Sequence, residues 1–193
     1  MSARYQVLQH EKKPYWLTNC PLLMVTHALT KDTSNNTIFL QCKFQNLNDK
    51  KIKAFNIHIE CFDVTGQPLT AVDSFSYLDI SIAPDKTFGD QTPVPLPNRE
   101  TRAFHIIPRK IVFDDNSIWE NADNQPFELA EYEQKRISSL DKLADQYKRD
   151  LRDICSKSNA HTYLPARKDG FTICGCGKIM LDSTKTCPAC GVS

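Results

Sequence analysis

Four cysteines near the end of the sequence carry the clearest chemistry. They read Cys174-Gly-Cys176-Gly177, ten intervening residues, then Cys187-Pro-Ala-Cys190-Gly191. Thiolate is a soft ligand, and two close pairs of thiolates match what a tetrahedral zinc ion requires. One pair on a tight turn fills two corners, and a second pair arriving from elsewhere fills the others. Gly177 and Gly191 each follow the second cysteine of a pair. There a residue without Cβ can take positive φ and let backbone amides turn toward the sulfurs. Pro188 stiffens the second turn. Four free thiols or two disulfides are the bland alternatives, and paired spacing with both glycines is hard to obtain that way. Iron also accepts four thiolates, but the ferredoxin spacing is missing. Four protein thiolates leave no open corner for water, so the expectation is one structural zinc ion per chain on Cys174, Cys176, Cys187 and Cys190.

This segment resembles the zinc-ribbon superfamily. Cys187-Pro-Ala-Cys190-Gly191 matches the usual ribbon knuckle, whereas the first pair has one residue between its cysteines instead of two. The ten-residue gap, with Phe171 three residues before the first ligand, is also similar to the Ran-binding zinc fingers. Those fingers recognise single-stranded RNA or ubiquitin, and usually carry Trp where Phe171 stands and Asn where Met180 stands. The resemblance implies a docking module for protein or nucleic acid.

The other reactive side chains form no constellation. His10, His27, His58, His105 and His161 are scattered, and the sequence places them on the surface or on sheet faces. Cys42 and Cys61 fall on inward positions of strands and read as buried small hydrophobes. Cys20 and Cys155 are isolated thiols with no base beside them, and Asp114-Asp115 reads as a turn. There is no glycine-rich phosphate loop, no Gly-x-Ser-x-Gly and no His-Glu-x-x-His, so no catalytic or cofactor-binding residue is expected.

The elements that must position the cysteines follow from periodicity. Ile38, Leu40, Cys42 and Phe44 alternate with polar residues, as do Phe55, Ile57, Ile59 and Cys61. Weaker alternation marks Phe75–Tyr77 and the Ile80-Ser-Ile82 run, and a late strand carries Phe104, Ile106, Ile111 and Phe113 with an interruption at Pro108. An early strand is expected at Leu22–Leu29. Asp32–Asn36, Asn46–Lys50 and Asp63–Pro68 carry turn chemistry and read as hairpin loops, while Thr92–Pro97 lacks three amide donors and suits an edge or connection. Half-buried strands at this spacing predict an antiparallel β-sandwich of the immunoglobulin-like kind over residues 1–121.

A long amphipathic helix is expected over residues 127–155, within a connector spanning 122–158, capped at Asp123 or Asn124 with Pro126 in its first turn. Its seam is Ile137, Leu140, Ala144, Tyr147, Leu151 and Ile154, widened by Leu143. That seam would pack on the β-domain or pair with a second copy or another protein. A linker from Ser156 to Gly170 and the ribbon fill residues 159–193.

Cys42-Lys-Phe-Gln-Asn46 followed by Phe55-x-Ile57-x-Ile59-x-Cys61-Phe62-Asp63-x-x-Gly66 resembles the FxLYD family of bacterial immunoglobulin-like sandwiches. The naming motif falls on Ile59, Cys61, Phe62 and Asp63, with Ile and Cys replacing Phe and Leu. The resemblance implies an adhesion-like or accessory module without catalysis. Its members are commonly exported, yet the opening Met1–His10 has no apolar core for a secretory signal, no window approaches a membrane span, and a cytoplasmic protein is expected.

A net charge of +1 gives no whole-molecule attraction to nucleic acid or anionic membrane. The resulting expectation is a non-enzymatic binding or scaffold protein with an unidentified protein partner. The alternative is a nucleic-acid-binding protein that uses the ribbon and its flank of Lys157, Arg167, Lys168, Lys178 and Lys185.

Overall fold

Period-2 alternation becomes two antiparallel sheets. The computed structural model describes residues 4–155 and 157–192, so Met1–Ala3 of the opening segment, Ser156 at the head of the expected linker and Ser193 lie outside the described residues. The strands are β1 (Tyr5–Glu11), β2 (Tyr15–Trp16), β3 (Leu22–Asp32), β4 (Ile38–Asn46), β5 (Ile52–Phe62) and β6 (Pro68–Tyr77). They continue with β7 (Thr87–Phe88), β8 (Val94–Pro95), β9 (Ala103–Phe113), β10 (Ile118–Glu120) and β11 (Glu128–Leu129). A seven-stranded sheet runs β11-β2-β3-β4-β7, with β1 also on β3 and β8 also on β4; a four-stranded sheet runs β10-β9-β5-β6. Their inner faces share one core. Phe44 of the first sheet meets Phe55 of the second edge to face at 5.1 Å, and Tyr77, Phe88 and Phe127 complete the aromatic centre. Cys42 and Cys61 are buried in it as small hydrophobes, as their alternation predicts, and Cys20 joins them.

The turns explain the topology. Asp32 Oδ1 accepts the Ser34 amide at 2.9 Å in the β3–β4 hairpin, and Asp63 Oδ1 accepts the Thr65 amide at 2.7 Å and the Gln67 amide at 3.0 Å in the β5–β6 hairpin. Gly66 closes that second turn at φ 83°, a region a side chain would strain. Asn46–Lys50 is not a hairpin, because β4 and β5 belong to different sheets. It is an arch, held by the fully buried Asn46, whose Nδ2 donates to Lys50 O at 2.8 Å and Ile82 O at 3.1 Å. Turn-forming composition is the same for both shapes, so the sequence did not separate them. The Ile80–Ile82 run forms no strand of its own and contributes a single bridge from Ile82 to Ile52. Asp115 accepts the Ser117 amide in the turn expected at Asp114-Asp115.

Pro108 lies inside β9 without ending it. Asn56 pairs with Lys110 while Ile57 pairs with Pro108, so Arg109 is an extra residue opposite β5. The bulge lets the proline keep its place, and β10 reaches no further than Lys110 on the other side. It also moves the buried face from Ile106 to Ile111 and Phe113.

The expected helix over 127–155 is shorter. Phe127 enters the sandwich core 6.0 Å from Phe44, and Glu128–Leu129 pair with Tyr15–Trp16. Burial and strand pairing outweigh the helix propensity of this stretch. Asp123 and Asn124 cap nothing: Asn124 sits at φ 52° in a turn that Asn121 closes onto Gln125 O at 2.8 Å. This first unit ends at Ala130, and a second compact unit begins at Glu131.

In the second unit a 3-10 segment, Ile137–Leu143, broken by Asp141 at φ 49°, leads into the helix α1 (Ala144–Ile154). Three short strands, β12 (Ala166–Lys168), β13 (Phe171–Ile173) and β14 (Ile179–Leu181), make a meander. Most of the seam is used inside this unit. Ile137, Ala144 and Leu151 are buried, with Leu140, Tyr147, Leu164 and Val192 packed on them. Leu143 and Ile154 stay 66% and 64% exposed. No helix of the described residues is long and apolar enough to cross a membrane.

Candidate metal centre

Two knuckles of matching design carry the four cysteines. At the first, where β13 ends, Gly177 N donates to Cys174 O at 2.8 Å and Cys174 N donates to Lys178 O at 2.8 Å. At the second, Gly191 N donates to Cys187 O at 2.8 Å and Cys187 N to Val192 O at 2.8 Å. Gly177 and Gly191 hold φ of 87° and 81°, the conformation their positions in the sequence imply.

The sulfurs meet across the knuckles. Cys174 Sγ lies 3.5 Å from Cys190 Sγ, and Cys176 Sγ lies 3.8 Å from Cys187 Sγ. The remaining four pairings, Cys174 with Cys176, Cys174 with Cys187, Cys176 with Cys190, and Cys187 with Cys190, are also in side-chain contact. All six edges of a four-cornered cluster are thereby closed.

Burial pushes the Cys174 thiol up to about 11 and raises Cys190 as well. Burial opposes ionisation of Cys187 too, but the amides of Cys190 and Ala189 point at its sulfur and bring its pKa below the ordinary thiol value. The Cys176 amide donates to Cys174 and the Val192 amide to Cys190. Backbone dipoles are thus already aimed at sulfurs that would carry negative charge.

His161 belongs to the same cluster, which its sequence position did not suggest. A ring nitrogen of His161 and the sulfurs of Cys174, Cys176 and Cys190 all lie within 4.8 Å of one another, a group that could hold a metal ion. The residue is 7% exposed, not a surface histidine. The signal that could have found it is Gly175. A Cβ there would stand 2.4 Å from Tyr163 O and 2.7 Å from His161 Nδ1, so only glycine lets the two segments touch. Thr162 N and Tyr163 N both donate to Gly175 O, at 3.1 and 3.2 Å.

Two further side chains buttress the cluster. Cys155, read as an isolated thiol, is buried against Cys174, Cys187 and Cys190 and donates to Cys190 O at 2.7 Å. Gln134 Nε2 reaches Leu164 O at 3.1 Å, Ile173 O at 3.3 Å and Cys174 O at 3.1 Å. Neither had a signal in the sequence, because each acts on backbone carbonyls from a distant segment.

The remaining histidines do not converge on a reactive group. His105 pairs with Glu60 at 3.3 Å on an exposed face, and His58 meets Asp73 O at 3.2 Å. His27 is buried, not exposed, between the edges of Tyr15 and Phe104, and burial lowers its pKa.

A family model described as "Family of unknown function (DUF5780)" matches residues 39–135, half of the chain. The match spans β4 to β11 and stops before Cys174, Cys176, Cys187 and Cys190. No curated protein and no solved structure matches the chain.

Proposed function

The chain belongs to the DUF5780 family, and from that premise we propose that it is a non-enzymatic binding or scaffold protein whose C-terminal unit is organised by one structural zinc ion. The observation that carries this reading is the sulfur geometry. Zinc–thiolate bonds of about 2.3 Å in a tetrahedron require sulfur–sulfur separations of about 3.8 Å. The separations of 3.5 and 3.8 Å fit that figure, and the other four pairs of sulfurs are close enough to interact. Cys174, Cys176, Cys187 and Cys190 would hold the ion in the manner of a zinc ribbon, and the ion would supply cross-linking rather than a reactive water, since all four corners are filled. A module fixed in this way presents surface, and a protein partner in the cytoplasm is its expected ligand.

One observation favours a second reading, binding of single-stranded nucleic acid. Lys148, Arg152, Asn159 and His161 line a depression of about 300 Å³ in the same unit, a basic and polar lining suited to phosphate.

Elemental analysis of the purified chain tests the first reading and should find one zinc per chain, lost in a Cys187→Ser/Cys190→Ser double variant. Stoichiometric zinc in that variant would overturn it. Affinity capture from the native cell with the two proteins side by side should recover a protein partner. A nuclease-sensitive, salt-sensitive catch instead would select the second reading.

A further inference from the structure

We propose that His161 caps one face of the zinc tetrahedron from outside the coordination sphere, donating a ring N–H to a cysteine sulfur and locking the ion against exchange. The inference rests on the structural-zinc reading above. Cys174, Cys176 and Cys190 form one triangular face of the four-sulfur cluster, and a nitrogen of His161 lies within 4.8 Å of all three sulfurs. The fourth corner, Cys187, already closes on Cys176 at 3.8 Å and on Cys174 and Cys190, so the tetrahedron is complete without the imidazole.

Neither ring nitrogen of His161 has a hydrogen-bond partner, although both are buried. A buried N–H without an acceptor is costly, and an orphan of this kind needs a physical reason. The metal provides it. Four thiolates on a divalent ion carry a net charge of −2, and the sulfurs become strong acceptors only when the ion has displaced their protons. The histidine is therefore matched to the loaded state. Its placement is also specified by backbone: Thr162 N and Tyr163 N tie the segment carrying it to Gly175 O, between the first two ligands, and Gly175 has no Cβ to hold it off. Exchange of a zinc ion begins with a chelator or water approaching a face of the tetrahedron. An imidazole on that face obstructs the approach, and its hydrogen bond holds the thiolate in place.

The test uses the full, zinc-loaded chain and His161→Phe, which keeps a planar ring and removes both nitrogens. Both proteins should contain one zinc. Release to a colorimetric chelator should be at least about tenfold faster in the variant, as for other groups that support a metal ligand. After cobalt substitution, the sulfur-to-cobalt charge-transfer intensity should be the same in both, since four thiolates bind in each. A loss or gain of that intensity would make His161 an inner ligand and overturn the proposal, as would equal release rates. Should the variant fold poorly, the wild-type chain loaded with cadmium-113 decides the matter. A slowly exchanging imidazole proton coupled to cadmium through sulfur is expected, and its absence refutes the cap. If neither protein holds zinc, the structural-zinc reading fails, and that outcome is read from metal content alone.

Discussion

The two compact units are stabilised by different physics. The first, ending at Ala130, encloses a continuous apolar core that draws on both sheets, from Leu22, Leu29 and Phe44 on one to Phe55, Ile59 and Ile111 on the other. Each such side chain contributes about 1.5–3 kcal/mol when buried. The second unit divides its burial between two small clusters, one around Ile137, Ala144 and Leu151 and one that is mostly cysteine. Domains with so little core need a staple, and the cysteines are placed to be one. On the proposed zinc reading, the helix, the meander and the knuckles of the second unit depend on one main point of attachment, whereas the sandwich has many.

Removing that point should give the largest effect. Structural zinc contributes on the order of 10 kcal/mol to the folding of such modules. Stripping the ion with a chelator should therefore open residues 131–192 to limited proteolysis while β1–β11 survive as a resistant fragment, mapped by mass spectrometry. A second unit that stays protease-resistant without metal would break the comparison. The converse experiment is Phe44→Ala, which removes the ring at the meeting point of Phe55, Tyr77, Phe88 and Phe127. It should cost the first unit about 3–5 kcal/mol by thermal or urea unfolding while zinc content remains unchanged.

The smallest effect sharpens the picture of the first unit's surface. Lys50 and the hydroxyl and amide of Ser117 hold the Asp115 carboxyl well below the usual carboxylate range. A depressed carboxylate adds stability that is fully present above the ordinary pKa and is lost as pH falls through the folded value. Asp115→Asn should thus lower the melting temperature slightly near neutral pH, with the difference shrinking to nothing in strong acid. Because the pair is solvent-exposed, added salt should shrink it too.

What the sequence made legible was whatever is written in local period and spacing. Alternation located β3, β4, β5 and β9 and put Cys42 and Cys61 inside; the two cysteine pairs and Gly177 and Gly191 marked the knuckles. What escaped depends on contacts between distant residues. Phe127 reads as the start of a helix until the sandwich offers it a cavity beside Phe44. Asn46–Lys50 reads as a hairpin until β5 is assigned to the other sheet. His161 and Cys155 read as isolated until the chain brings them to the cluster, and the seam reads as a contact for the β-domain, a second copy or another protein until Leu164 and Val192 cover it.

The extra residue at Arg109 sets how much change in length β9 can absorb. Upstream of it even-numbered Ile106 faces the core, and downstream odd-numbered Ile111 and Phe113 do. The strand is read in two frames, and the bulge is where the frame changes. Substituting Arg109 leaves both frames intact. Deleting it would merge them into one unbroken alternation, with Pro108 and Lys110 adjacent opposite Ile57 and Asn56 and Ile111 and Phe113 still inward. A residue lost from the regular run on either side would instead turn one frame outward unless the ladder to β5 slipped by one. The β5–β6 turn at Val64–Gln67 carries no such constraint, because residues added there lie outside every ladder. Across this sheet, then, a one-residue change in length can be absorbed at the turn that ends β5 and at the bulge beside its middle, but not in the regular ladder between them.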